Sequence, residues 1–85
     1  MAEHKLKTWP GYFEELLAGA KTFEVSLDDR GFAVGDVLIL QEFIPETKFY
    51  TNRELRRVVT HKMAGGKMGI DLGYCILSLA NTGND

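Results

Sequence analysis

Apolar and polar positions change their period several times along this chain, and each change marks an element. His4 to Thr8 alternates, which predicts a short first strand. Pro10 then sits well for the first turn of a helix. Tyr12, Phe13, Leu16 and Leu17 recur at helical spacing, with Glu14 and Glu15 opposite. Gly19 is a natural residue to close that helix, so the pattern predicts a helix near residues 10–18. Thr22 to Leu27 alternates again: Phe23, Val25 and Leu27 fall on one face, Thr22, Glu24 and Ser26 on the other. Asp28-Asp29-Arg30-Gly31 and Val34-Gly35-Asp36 read as turns around a short connection. Val37 to Phe43 is a β-prone run, and Pro45-Glu46-Thr47-Lys48 a hairpin loop. The return strand runs from Phe49 to about Lys62, and a glycine-rich loop leads to a last strand, Gly73 to Ala80. The tail from Asn81 to Asp85 is expected to fray.

One short helix and about five strands, mostly antiparallel, make an α+β chain that is mainly β. So few strands bury their apolar faces by curling into a small barrel or half-barrel, with the helix plugging one end. The expected core is Leu6, Phe13, Leu16, Leu17, Phe23, Val25, Val37, Ile39, Val58, Ile76 and Leu77. With 85 residues the chain is expected to be one domain, 1–85, ordered over about 4–80. A domain of this size has little room for an enclosed active-site cavity, so a ligand site is expected in a surface cleft.

Charge refines this picture. The net charge is −2, but residues 1–43 hold four Lys/Arg against eight Asp/Glu, while residues 44–85 hold six against four. Five basic residues lie between Arg53 and Lys67. An acidic whole with a local basic stripe suits a specific polyanion contact and argues against strong nonspecific binding to long nucleic acid. Because side chains alternate along a strand, Arg56 and Arg57 point to opposite faces, and a charge-protected edge strand explains the stripe better than a phosphate track. Cys75 is the single cysteine and is expected to be a buried, inert thiol. Two histidines and one cysteine, scattered, make no metal site, and no cofactor is expected. No apolar run approaches membrane-spanning length and no signal-peptide pattern opens the chain, so a cytoplasmic protein without membrane contact is expected.

Lys21, at the corner between helix and strand, and Glu24, on the polar strand face, are placed to converge on one opening. The ammonium would attract an anion and the carboxylate would accept from a base amino group. The bland alternative is a solvated ion pair of little consequence. Arg30 is the one member of its turn that turn chemistry does not explain. Trp9, Tyr12 and Tyr50 are candidates for stacking on a base, with packing onto the helix as the alternative for Trp9.

The segment Gly19-Ala20-Lys21-Thr22-Phe23-Glu24-Val25 resembles the signature of the ASCH family, Gly-x-Lys-x-x-Glu-x-Arg. Val34-Gly35-Asp36-Val37-Leu38 is similar to the turn and strand that PUA-like barrels place next, and Gly73 to Leu77 resembles their closing strand. Leu6, Lys7, Pro10, Phe13, Lys21 to Glu24, Asp29-Arg30 and Gly35-Asp36 match, in order, the pattern of a small bacterial and phage ASCH-like group. The resemblance spans about residues 4–80. It implies a small PUA-like β-barrel with a cleft beside it, and a module that binds RNA, a nucleotide or a nucleoside through Lys7, Lys21, Glu24 and Arg30. Ser26 stands where the signature has its final arginine, and Arg30 is the expected substitute for that charge. Some relatives are amidohydrolases of N4-acylated cytidine nucleosides. Lys21 matches their lysine, but Glu24 occupies the position of their threonine, so no catalytic residue is assigned and enzyme activity ranks below binding. A protein-interaction module built on the barrel edge is a third reading.

Overall fold

A computed structural model describes residues 1–82. Its elements are β1 (Glu3–Thr8), α1 (Pro10–Leu17), β2 (Phe23–Leu27), β3 (Val37–Ile44), β4 (Phe49–Ala64) and β5 (Tyr74–Asn81). The strands form one mixed sheet in the order β1-β3-β4-β5-β2, curled into a half-barrel. β1 runs parallel to β3, and the other three pairings are antiparallel. A chain that is mainly β, with one N-terminal helix and mostly antiparallel strands, is therefore what forms.

Register explains the core. Leu6, Leu40 and Leu55 stand side by side across β1, β3 and β4, on the same face as Leu38. Cys75, Leu77 and Leu79 continue the concave face on β5. Phe13 and Leu16, one helical turn apart, lower α1 onto it. Full burial of a side chain such as Leu38, Leu40 or Leu77 stabilises the fold by about 1.5–3 kcal/mol. α1 begins with Pro10 at its first position, where a missing N–H costs nothing, and its first bond runs from the Phe13 amide to the Trp9 carbonyl. It ends because Gly19 takes φ 81°, a left-handed conformation that glycine adopts without a Cβ clash.

Four expectations change. Leu17, Phe23 and Val25 are not core; they are about half exposed. Val37, Val58 and Ile76 are half-buried. β4 is the central strand, not a charged edge, and its basic residues are held by partners on both sides. Arg53 bonds Glu42 and Glu14, Arg56 bonds Glu3, and Lys62 bonds Asp28 and the Phe32 carbonyl. Arg57 points into the concave side and donates to the Leu16 carbonyl at the end of α1. Asn81 belongs to β5, Thr82 follows it outside the strand, and residues 83–85 of the frayed-tail expectation lie outside the described residues.

Phe32 is buried although it stands alone in a polar turn; it packs edge-on against His4, with ring centroids 4.7 Å apart. The neighbouring turn does more than reverse the chain. Asp36 is buried and its carboxylate accepts from His4 Nε2 (2.9 Å) and from the amides of Ala2 and Ala33 (both 3.0 Å). The His4 hydrogen bond, and then the two amides, hold its carboxyl at about 2, well below the ordinary 3.8. A carboxyl depressed in the folded state stabilises fully above its unfolded value, and that stability is lost as pH falls through the folded value. Acid unfolding is therefore expected to gain a component between pH 3.8 and about 2 that Asp36→Asn removes, as read from melting temperatures across that range. An unchanged acid limb in the variant would contradict this.

The candidate ligand cleft

The two ends of the strand order, β1 and β2, do not pair with each other, so the half-barrel has an open seam. A cleft of about 530 Å³ lies there, lined by Lys7 and Thr8 of β1, Trp9, Tyr12 of α1, and Lys21, Phe23, Glu24 and Val25. That volume is within the range of small-molecule sites. The seam thus brings together Lys7, Lys21 and Glu24, three of the four residues expected to bind ligand. Arg30 is not among them. Its Nη1 donates to the Lys5 carbonyl (2.7 Å), and its guanidinium lies beside Asp29. It covers a main-chain group of β1 and does not replace the charge missing at Ser26, whose own hydroxyl donates to the Leu27 carbonyl.

β2 is built the wrong way round for a strand that only packs. Glu24 and Ser26 stand opposite the buried Leu77 and Cys75, on the concave face, while Phe23, Val25 and Leu27 turn outward. The carboxylate can lie inward because Lys21 meets it: Nζ is 2.9 Å from Glu24 Oε1, with only 15% and 12% of the two side chains exposed. This is no solvated surface pair. The ammonium also donates to the Phe23 carbonyl (2.9 Å) and lies over the rings of Phe23 (4.8 Å) and Tyr12 (5.1 Å). Two of its three N–H groups are engaged, which leaves one for a ligand. Lys7 sits over the Phe43 ring at 4.7 Å.

Two further features belong to the cleft wall. Trp9 and Tyr12 lie nearly parallel, 6.2 Å between centroids and 19° apart, with about half of each side chain exposed. Thr8 is 3% exposed, and its Oγ1 has no hydrogen-bond partner. A buried hydroxyl without a partner is uncommon, and here it belongs to a residue of the cleft wall. Sequence reasoning weighed Trp9 and Tyr12 but missed Thr8, which carries no motif.

Behind the cleft, Glu42 stands in register with Thr8 and accepts from Thr51 Oγ1 (2.6 Å) and Arg53 Nε (2.9 Å). The Arg53 hydrogen bond, then that of Thr51, lowers its carboxyl below the usual range. Arg53 also reaches Glu14 and lies 4.8 Å over the Phe13 ring, so it ties α1 to the sheet. Cys75 is buried opposite Ser26, and burial pushes its thiol up, so it is a packing residue. No group of metal-ligating side chains occurs among the described residues, and no helix there is long and apolar enough to cross a membrane.

No curated protein matches the chain. One family model does, over residues 3–79, from the start of β1 to within two residues of the end of β5. With nearly its whole length matched, the chain belongs to the family described as Domain of unknown function (DUF3850).

Proposed function

We propose that this protein binds a nucleotide, free or within single-stranded RNA, in the cleft at the β1/β2 seam. The observation that carries the reading is one juxtaposition. Exposed aromatic rings (Trp9, Tyr12, Phe23) stand around an ion pair (Lys21–Glu24) in a cleft of nucleotide size. Rings offer a stacking surface for any base, and polar groups beside them supply hydrogen bonds to its edge. The resemblance to the ASCH family supports the same reading, as does a cleft that admits a splayed base but no duplex. The site belongs in the cytoplasm, where the lone thiol stays reduced.

Phosphate plays the smaller part in this reading. Glu24 offsets the charge of Lys21, and Arg30 is elsewhere, so Lys7 carries the net charge of the cleft. About one neutralised phosphate gives a log–log salt slope near −0.7, against about −2 for three. Trp9 is the sole tryptophan, so its fluorescence reports directly on the site. Titration with nucleoside monophosphates is expected to quench it saturably, and a short single-stranded RNA to show that shallow salt slope. No change at millimolar nucleotide would contradict the reading.

Thr8 also bears on the amidohydrolase reading, because its hydroxyl is buried in the wall of the cleft that holds Lys21 and Glu24. A nucleophilic hydroxyl needs a base within hydrogen-bond reach, and Thr8 Oγ1 bonds neither residue. Binding therefore remains the reading supported best.

A further inference from the structure

β2 is an edge strand, and its main chain faces the cleft in a definite pattern. The Thr22 carbonyl accepts from the Leu79 amide and the Asp28 amide donates to the Gly73 carbonyl, so residues 22, 24, 26 and 28 turn their main-chain groups toward β5. By alternation, Phe23, Val25 and Leu27 turn theirs toward the open edge. Side chains already cover two of those carbonyls: Lys21 bonds that of Phe23, and Ser26 that of Leu27. Val25 keeps both its N–H and its C=O open, and Val25 lines the cleft. Beside it, Glu24 offers its second carboxylate oxygen, since Oε1 is the one Lys21 holds.

We propose, on the basis of the nucleotide reading, that the cleft selects bases carrying an exocyclic amino group, and that the Val25 main chain and Glu24 are the groups that read it. Two acceptors, the Val25 carbonyl and Glu24 Oε2, stand on neighbouring residues of one strand, with the Val25 amide as the adjacent donor. An exocyclic amino group has two N–H bonds to give to the two acceptors. A ring nitrogen next to it (N3 of cytosine, N1 or N7 of adenine, N3 on the sugar edge of guanine) accepts from the Val25 amide. Cytosine, adenine and guanine each present such an edge. Uracil has one N–H on its pairing edge, so its carbonyl oxygen would be set against a carboxylate. A site built to satisfy polar groups rejects the base that leaves one unpaired.

The test is a panel titration of the whole protein, followed by Trp9 fluorescence, with CMP, AMP, GMP, UMP and ribose 5-phosphate. The expected result is that CMP, AMP and GMP each bind about tenfold or more tighter than UMP, one lost charge-assisted hydrogen bond being worth at least that factor. Glu24→Gln replaces an acceptor with a group that also donates, and is expected to bring UMP to within about threefold of the others. Val25→Pro deletes the open N–H without breaking the ladder to β5, a position where an edge strand tolerates proline, and should weaken all four nucleotides. If that variant does not fold, the Glu24→Gln panel decides alone. UMP binding as tightly as the amino-bearing nucleotides, or an unchanged preference in Glu24→Gln, would overturn the inference while leaving a nucleotide site intact. Ribose 5-phosphate binding as well as the nucleotides, or no binding by any of them, would overturn the nucleotide reading itself.

Discussion

Gly65→Ala is expected to lower the melting temperature by more than about 10 °C, the largest loss from a Gly→Ala change among the described residues. Gly65 closes β4 into the loop that returns as β5, and its amide donates to the Tyr74 carbonyl at 2.7 Å. A Cβ there would stand 2.0 Å from the Asp71 carbonyl oxygen and 2.6 Å from that of Tyr74. Both neighbours are main chain, so no flexible side chain can swing aside. The loop would have to move, and with it the Gly65–Tyr74 and Gly66–Ile70 hydrogen bonds. Overpacking of this kind costs about 1–3 kcal/mol, and the lost main-chain bonds add to it. Gly69→Ala is the control: nothing lies within 4 Å of its added Cβ, though its φ of 78° carries a modest backbone strain. Thermal unfolding of the two variants, with Gly69→Ala losing less, checks the account. Equal losses would contradict it.

Separating Lys21 from Glu24 should be costly in a way that removing both charges is not. With 15% and 12% of their side chains exposed, each ion depends on the other. Lys21→Met keeps the aliphatic stem between Tyr12 and Phe23 but strands the carboxylate. Glu24→Gln keeps the shape but leaves the ammonium without its counter-charge. Each single change is expected to cost about 2 kcal/mol, less than the roughly 3–5 kcal/mol of breaking a fully buried pair because part of each side chain stays in contact with water. The double variant should recover most of that loss, because a neutral pair of the same shape has no unpaired charge to desolvate. A double-mutant cycle by urea unfolding measures the difference. Independent, additive losses under about 0.5 kcal/mol would mean an exposed pair and would contradict the geometry. Nucleotide binding should stay weakened in the double variant although its stability returns, which separates the site's role from the fold's.

Much of the architecture was legible in period alone. The helix at Pro10–Leu17, its stop at Gly19 and the β3–β4 hairpin lie where the sequence pattern puts them. What period could not give was the order of strands. Nothing local in β1 says that it pairs parallel to β3, or that the basic β4 lies in the centre, because both follow from contacts distant in sequence. The misread strand is the instructive one. Alternation in β2 put Phe23 and Val25 inward, and the structure turns them out and brings Glu24 in. A strand of a packing domain buries its apolar face. One that does the reverse, beside an open seam, is a place where local rules and the fold disagree, and such places are where sites are expected. Lys7, Lys21 and Glu24, named from the ordered resemblance, lie together at the seam. Arg30 lies apart from that group because charge in a turn says nothing about which carbonyl it will cap. Thr8 was invisible because an ordinary hydroxyl becomes notable only when it is buried without a partner.

The central claim is that the seam between β1 and β2 holds a nucleotide. Amide proton–nitrogen chemical-shift mapping during titration with CMP tests it most directly, because it reports where the ligand sits as well as whether it binds. Saturable shifts are expected at Lys7, Thr8, Trp9, Tyr12 and Phe23 to Val25, largest at the Val25 amide, with the β3–β4 hairpin tip near Phe49 unmoved. Shifts centred anywhere else on the chain, or none at saturating nucleotide, would contradict it.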